Sequence, residues 1–385
     1  MQCNLSLNDF PELILLRIMS YLSPFSKYKL ALTSVRMYSL FQSPHTWRSI
    51  KLSVTNEQIE LPLNCVKLYG RYFWNVSLDI YLSEQTLNSI IQVLTLLSNL
   101  CNLKGITVNC IGKSTSFIPK KEIICHLKCL LCYISNISTL KYINITHFFL
   151  PLDDSFLNHS HNSNLQFLYL QNNLAIYNFS PIKILSVVNN CRQLRIISVP
   201  LASLSEKIIL AFTESNRAPL SNLCMTISGT DIFENKNYAA IFNSDLWTVV
   251  VRQLPCLTVS LHIYECCPFS VINSVLISEI PYSEIRLETF TPLWKEVIVI
   301  SNLYHQTLQK LILHPSSSSQ NLDNALLHMS EKCEKLYALH VFDLLNPETI
   351  QTILDRYPQM KKRETYTLRS SRGEGPWSSE QLLEK

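Results

Sequence analysis

Three short groupings in this chain have residue types that do chemistry. Cys125, His126, Cys129 and Cys132 offer both kinds of nitrogen and sulfur donor that zinc takes. The three cysteines follow i, i+4, i+7, which places them on one helical face, and His126 then points about a quarter turn away. No second Cys or His pair stands at ligand spacing, so core-facing cysteines on an ordinary helix are expected instead. His159-Ser160-His161 lies in a polar insert and reads as a solvated loop. Gly112-Lys113-Ser114 follows an apolar run ending at Val108, as a phosphate-cradling loop would. Such a loop needs a glycine five residues before its Gly-Lys pair, and Thr107 stands there. With six glycines in 385 residues and no G-x-G-x-x-G, dinucleotide and kinase chemistry lack their backbone cradle. H-E-x-x-H, G-x-S-x-G and S-x-x-K are also missing, so neither a catalytic residue nor a metal or other cofactor is expected.

The elements that remain are built to be packed. The chain is 47% apolar and 16% charged, enough to bury a core along most of its length. Thirty-three Lys and Arg against 29 Asp and Glu leave a net charge of +4, and the basic residues form no long stripe with interleaved aromatics. No nucleic-acid partner is expected on that ground. No apolar run reaches the ~18 residues of a membrane span, so no membrane partner is expected either. Residues 1–12 lack a basic segment followed by an apolar one and carry Asp9 and Glu12. The expected location is therefore cytoplasmic and/or nuclear, with the thirteen cysteines serving as small reduced core residues.

Asn8 or Asp9 can cap a first helix, and Pro11 suits its first turn. From Leu13 to Leu22 only Arg17 and Ser20 are strongly polar. A helix apolar all round must be covered on more than one face, yet this one lies near the chain terminus, so either it lies deep in the core or one face waits for a partner. Pro24 breaks the run, a second helix carries Leu30-Ala31-Leu32 and Val35, and Ser43-Pro44 turns the chain before Trp47. The steps Phe10-Pro11, Ile18-Met19-Ser20-Tyr21-Leu22, Leu30-Ala31-Leu32, Val35-Arg36 and Pro44-His45-Thr46-Trp47-Arg48 resemble the F-box in order and spacing. The segment departs from that motif at Phe10 for Leu, at Thr33-Ser34 for Val-Cys, and at Met37 for Trp, where Tyr38 is expected to fill part of the volume.

The rest of the chain repeats. Residues 165–173 read L-x-x-L-x-L-x-x-N, the full leucine-rich-repeat frame. Looser frames open at Phe73, Leu103, Leu140, Leu194, Leu220, Leu254, Tyr282, Leu308 and Leu336. Between them lie helical patterns such as Leu87, Ile90, Ile91 and Leu94; Ile184 with Val187-Val188; and Leu322, Ala325-Leu326 and Met329. A doubly wound sheet also alternates in this way, but the fixed frame and the missing glycine loops favour a solenoid whose units bury their faces by stacking. The expected fold class is α/β: a three-helix module over residues 6–52, a solenoid of alternating helices and parallel strands over 61–368, and a flexible tail over 369–385. Residues 314–321 are expected to form a polar loop.

Taken together, the chain is similar to F-box proteins carrying degenerate leucine-rich repeats. Glu279-Ile280-Pro281 and the stretch 306–311 suggest the branch around F-box only protein 39. The resemblance implies a substrate-recognition subunit of an SCF-type ubiquitin ligase. Its amino-terminal module would bind Skp1, and through it a cullin, by Phe10, Pro11, Ile14, Ile18, Leu22, Leu30, Leu32, Val35 and Trp47. The repeat would capture a target protein on a concave strand face, with Tyr142, Phe167 and Tyr169 as anchors and Glu284, Arg286 and Lys310 as orienting charges. No catalytic residue is needed, since ubiquitin transfer belongs to other subunits. The rival expectation is a repeat scaffold or inhibitor with no ligase role, whose terminal helices form a cap. Such a cap would bury Ile14, Ile18 and Leu22 within the chain.

Overall fold

A computed structural model of the chain describes residues 7–55, 57–58, 60–111, 125, 129, 139–146, 154–157, 163–170, 179–228, 238–265, 267–316 and 320–370. The chain divides into two compact units, Met1–Leu194 and Arg195–Lys385.

Unit 1 opens with a 3-10 turn at Leu7–Asp9, then α1 (Glu12–Tyr21), α2 (Pro24–Ala31), α3 (Val35–Gln42) and α4 (Pro44–Trp47). Pro11 itself holds the cap position of α1, with no side-chain bond there, so the cap is not at Asp9 as expected; the Asn8 side chain lies outside the described residues. Pro24 both ends the first helix and begins the second, behind Ser23, whose hydroxyl accepts the Ser26 N–H. The expected second helix is two helices, because Ser34 turns the chain and accepts the Met37 N–H. These helices close on Leu15, Met19, Met37 and Leu40, with Leu16, Ile18 and Leu30 packed against them. Met37 alone fills the site expected for a larger side chain; Tyr38, thought to share that volume, points out and is 52% exposed.

The same unit carries β1 (Ser49–Val54), β2 (Asn75–Ile80), β3 (Gly105–Cys110), β4 (Tyr142–Asn144) and β5 (Phe167–Tyr169), parallel and in that order. Helices α5 (Glu60–Tyr69) and α6 (Glu84–Leu100) make the first crossovers, as parallel strands require. The sheet therefore starts inside the span read as the helical module: Trp47, Ile50 and Leu52 already form a repeat frame. Unit 2 continues the alternation with β6 (Ile196–Pro200), β7 (Asn222–Ser228), β8 (Thr258–Tyr264), β9 (Tyr282–Glu288), β10 (Lys310–Leu313), β11 (Ala338–Leu345) and β12 (Tyr366–Ser370). Each consecutive pair is parallel. The fold is that of an amino-terminal helical region followed by an α/β leucine-rich-repeat array.

The frame explains the packing. Period-two alternation sends one row of each strand inward, and register aligns the rows: Val199, Met225 and Leu261 continue to Ile285, Leu311 and Leu339, all buried. Eight of the ten frames open two residues before their strand. The frame at Leu254 opens four residues early, and Tyr282 is itself the first strand residue. The β8–β9 pairing shifts register by one residue between Val259 and Ser260. The helical patterns lie on α6 and on helices Pro181–Asn190 and Gln320–Lys332, where Leu87, Ile90, Leu94, Ile184, Val187, Val188, Leu322, Ala325, Leu326 and Met329 are buried. β12 extends to Ser370, so the array outruns its expected end at 368. Among the described residues, no helix is long and apolar enough to cross a membrane.

Gly112-Lys113-Ser114, His126, Cys132, His159-Ser160-His161, residues 317–319 and residues 371–385 lie outside the described residues. Cys125 and Cys129, expected to face the core, are both exposed in helical backbone. Spacing put them on one face, but only packing decides which face turns inward. No group of three metal-ligating side chains occurs among the described residues. The small-core use of cysteine appears elsewhere, at Cys65, Cys101, Cys110, Cys191, Cys224, Cys267 and Cys333, all buried free thiols.

Candidate functional site

The two faces of α1 differ. Leu15 and Met19 point into the core, while Leu13 is 80% exposed, Tyr21 is 73% exposed and Ile14 stands open beside them. The α2–α3 corner adds Phe25, Tyr28, Leu32 and Val35, the last 87% exposed. Of the twenty large hydrophobic residues exposed among the described ones, ten fall between Leu7 and Tyr38. Scattered apolar exposure is ordinary, but so dense a concentration marks an interaction surface.

Of the residues expected to contact an adaptor, Phe10, Pro11, Ile14, Leu32 and Val35 are exposed, and Ile18, Leu22 and Leu30 are half-buried. Trp47 is a correction, because it is only 1% exposed and has no face to offer. Its indole N–H donates to the Phe41 carbonyl at 2.7 Å, and its ring stacks on Tyr69 of α5 at 4.0 Å with 2° between planes. Phe41 meets it edge-on at 5.1 Å. The Lys27 ammonium lies 5.3 Å from its ring centroid and donates to the Thr46 carbonyl at 2.8 Å; burial pushes that lysine down to about 8. Trp47 thus ties the helices to the first repeat and does not present itself to a partner. Leu13, Tyr21, Phe25 and Tyr28 were missed. The signal for Leu13 and Tyr21 was present, since both lie off the Leu15–Met19 face, but which face is inside required the partner helices.

On the solvent face of unit 1, Tyr142, Phe167 and Tyr169 come together. Register pairs Tyr142 with Phe167 and Asn144 with Tyr169. The Tyr142 ring lies 6.2 Å from Phe167 and 5.6 Å from Tyr169, tilted by 49° in each case. Asn144 donates from Nδ2 to the Tyr142 hydroxyl at 3.0 Å. All three rings are half-buried, a rigid surface with one side open.

Unit 2 presents charge instead. Glu284 takes Lys310 at 2.9 Å and His262 at 3.7 Å, and Arg286 pairs with Glu288. Burial alone would push Glu284 up, but hydrogen bonds and charge from His262 and Lys310 hold it down, to about 2. Burial alone would push His262 down, yet the Cys224 sulfur at 3.9 Å and the Glu284 carboxylate hold it up, to about 9. Cys224 and Glu284 both approach the same Nε2 nitrogen of His262. A nucleophile and an orienting carboxylate would need opposite ring nitrogens, so this cluster stores charge and has no relay geometry. His314 stacks on Phe342 at 4.1 Å beside it. Glu284, Arg286 and Lys310 are thus brought together in unit 2, as the three aromatics are in unit 1.

Residues 7–53 match the F-box-like domain family. The chain is 24% identical to F-box/LRR-repeat protein 8 of Homo sapiens over 279 residues, covering 71% of each chain. The Bos taurus protein of the same name gives the same identity and coverage. The finer placement near F-box only protein 39 stays an expectation from residues 279–281 and 306–311. An open apolar helix face over residues matched to that domain, followed by strands in the repeat frame, makes this chain similar to F-box proteins with leucine-rich repeats.

Proposed function

We propose that this protein is the substrate-recognition subunit of an SCF-type ubiquitin ligase. Its amino-terminal helices bind Skp1, Skp1 bridges to a cullin, and the repeats hold the protein to be ubiquitinated. The observation that carries this reading is the apolar face of Leu13, Ile14, Tyr21, Leu32 and Val35, left open on a module whose other face is already packed. A terminal cap would cover Ile14 within the chain, and here it is open. Burying such side chains releases about 1.5–3 kcal/mol each, which is ample for stable association. The chain itself carries no step of the transfer chemistry; its work is to hold two proteins. A reducing location, cytoplasm or nucleus, suits the buried free thiols. The solvent-facing residues Tyr142, Phe167, Tyr169, Glu284, Arg286 and Lys310 are the proposed target contacts.

The test is calorimetric titration of Skp1 into the purified chain. Micromolar or tighter 1:1 binding is expected, and replacing Leu13 and Leu32 by Asp should abolish it with the melting temperature unchanged. Ile18 is a poorer probe, because it packs against the helical core. A wild-type chain that takes up no Skp1 at micromolar concentration overturns the reading.

A further inference from the structure

Four successive strands of unit 1 are immediately preceded by Arg48, Trp74, Lys104 and Lys141. Backbone bonds stack these positions into a ladder. The Trp74 N–H donates to the Arg48 carbonyl at 2.9 Å, the Lys104 N–H to Trp74 at 2.7 Å, and the Lys141 N–H to Lys104 at 2.7 Å. The Trp74 ring holds the Arg48 guanidinium 4.0 Å from its centroid and the Lys104 ammonium 3.6 Å from it. One aromatic ring thereby fixes a cation from the repeat before it and another from the repeat after it. Among the described residues, no acid is ion-paired to Arg48, Lys104 or Lys141.

The same strands also line a cleft of about 420 Å³, with Ser20, Ser49, Lys51, Ser77, Thr107 and Tyr142 at its walls and none of the four ladder residues among them. The hydroxyls of Ser49, Ser77 and Thr107 bond to no other described residue. Lys51 is held at 2.7 Å by Asp79, whose carboxylate also takes Asn109 at 2.9 Å. The floor is kept low by Gly105, where a Cβ would stand 2.6 Å from Asn75 Oδ1. The ladder's face thus presents cations held by a ring and paired with no acid among the described residues.

We propose that this face of unit 1 binds an extended acidic segment of the captured protein. The proposal rests on the receptor reading and names the chemistry of its target. Strands ~4.8 Å apart set the ladder's length at roughly 14 Å, about four to five extended residues. Carboxylates along such a segment complement the cations of the ladder. Nucleic acid fits less well, because the Trp74 ring that a base would stack on already engages Arg48 and Lys104.

The experiment is fluorescence anisotropy with the full chain and a fluorescein-labelled oligoglutamate of about eight residues, longer than the ladder. Oligolysine and single-stranded oligothymidylate serve as competitors. The oligoglutamate should bind, weaken with added salt, and be displaced by neither competitor. Replacing Lys104 and Lys141 by Glu should weaken it about tenfold or more. Lys141→Gln, on an exposed side chain, should weaken it less and leave the melting temperature unchanged. Unaltered affinity in both variants overturns the proposal, as does preferential binding of oligothymidylate. Skp1 binding on the same preparations separates the two readings. In the wild-type chain, absence of oligoglutamate binding with Skp1 bound overturns this site alone, and oligoglutamate binding without Skp1 binding overturns the receptor role alone.

Discussion

Between Leu7 and Tyr38 ten large apolar side chains stand open, whereas the inward rows of the repeat strands, from Ile50 and Leu52 to Tyr366 and Leu368, are buried. Both regions are built from apolar periodicity, and the difference lies in what each can stack upon. A repeat strand has a neighbour on each side whose row continues its own, so covering it costs no extra element. The helical module has four short helices and one small core, Leu15, Met19, Met37 and Leu40. It covers one face of α1 and has nothing left for the other. Apolar exposure here is the residue of small size.

The strongest way to break that comparison is to delete the same methyl groups in both regions. Leu311→Ala in β10 should cost about 2–5 kcal/mol in denaturant unfolding, because its row is closed on all sides. Leu13→Ala should change stability by no more than about 0.5 kcal/mol while weakening Skp1 binding. Equal losses at the two sites would mean that the module's open face is covered within the chain.

A second contrast separates the units. The solvent face of unit 1 offers rings, and that of unit 2 offers ion pairs. Changing Phe167 and Tyr169 to Ala should weaken target capture by about 2–4 kcal/mol, since rigid aromatics make hot spots. Charges that already have partners set orientation and rejection more than affinity, so Lys310→Gln should matter less in the same capture assay. The reverse order would move the anchor to unit 2.

The smallest effect sharpens the chemistry of unit 2 and is read in the pH dependence of its stability. Glu284 lies lower in the folded chain than in the unfolded one, about 2 against 4.5. Its contribution is complete above pH 4.5 and is lost as the pH falls toward 2. His262 lies higher, about 9 against 6.5. Its contribution is complete below pH 6.5 and fades as the pH rises toward 9. Melting temperature should therefore be highest between these limits, and His262→Asn should flatten the alkaline side. A variant with an unchanged alkaline slope would show that another group titrates there.

Much of this was legible in the order of residues. The frame at Leu165 announced strand β5 and its inward pair Leu168 and Leu170, and the patterns at Leu87 and Leu322 announced their helices. The alternation between neighbours two or four positions apart is local, so any window of the chain carries it. The apolar run from Leu13 to Leu22 likewise announced a helix apolar on more than one face. The start of the sheet was less legible, because Trp47, Ile50 and Leu52 belong to a helical motif and a strand frame at once.

Sequence alone determined most of the elements, their order, the alternation within the framed strands and the apolar character of the amino-terminal module. Tertiary structure alone decided which way shared faces turn: Trp47 inward onto Tyr69, Tyr38 outward, Cys125 and Cys129 outward despite their helical spacing. It also decided who stands beside whom. Arg48, Trp74 and Lys104 lie far apart in the chain and become neighbours only through parallel pairing, as do Glu284, Lys310 and His262. The physical reason is that side-chain direction follows from backbone geometry within a few residues, whereas lateral neighbours follow from crossover length and register, to which every residue between the strands contributes.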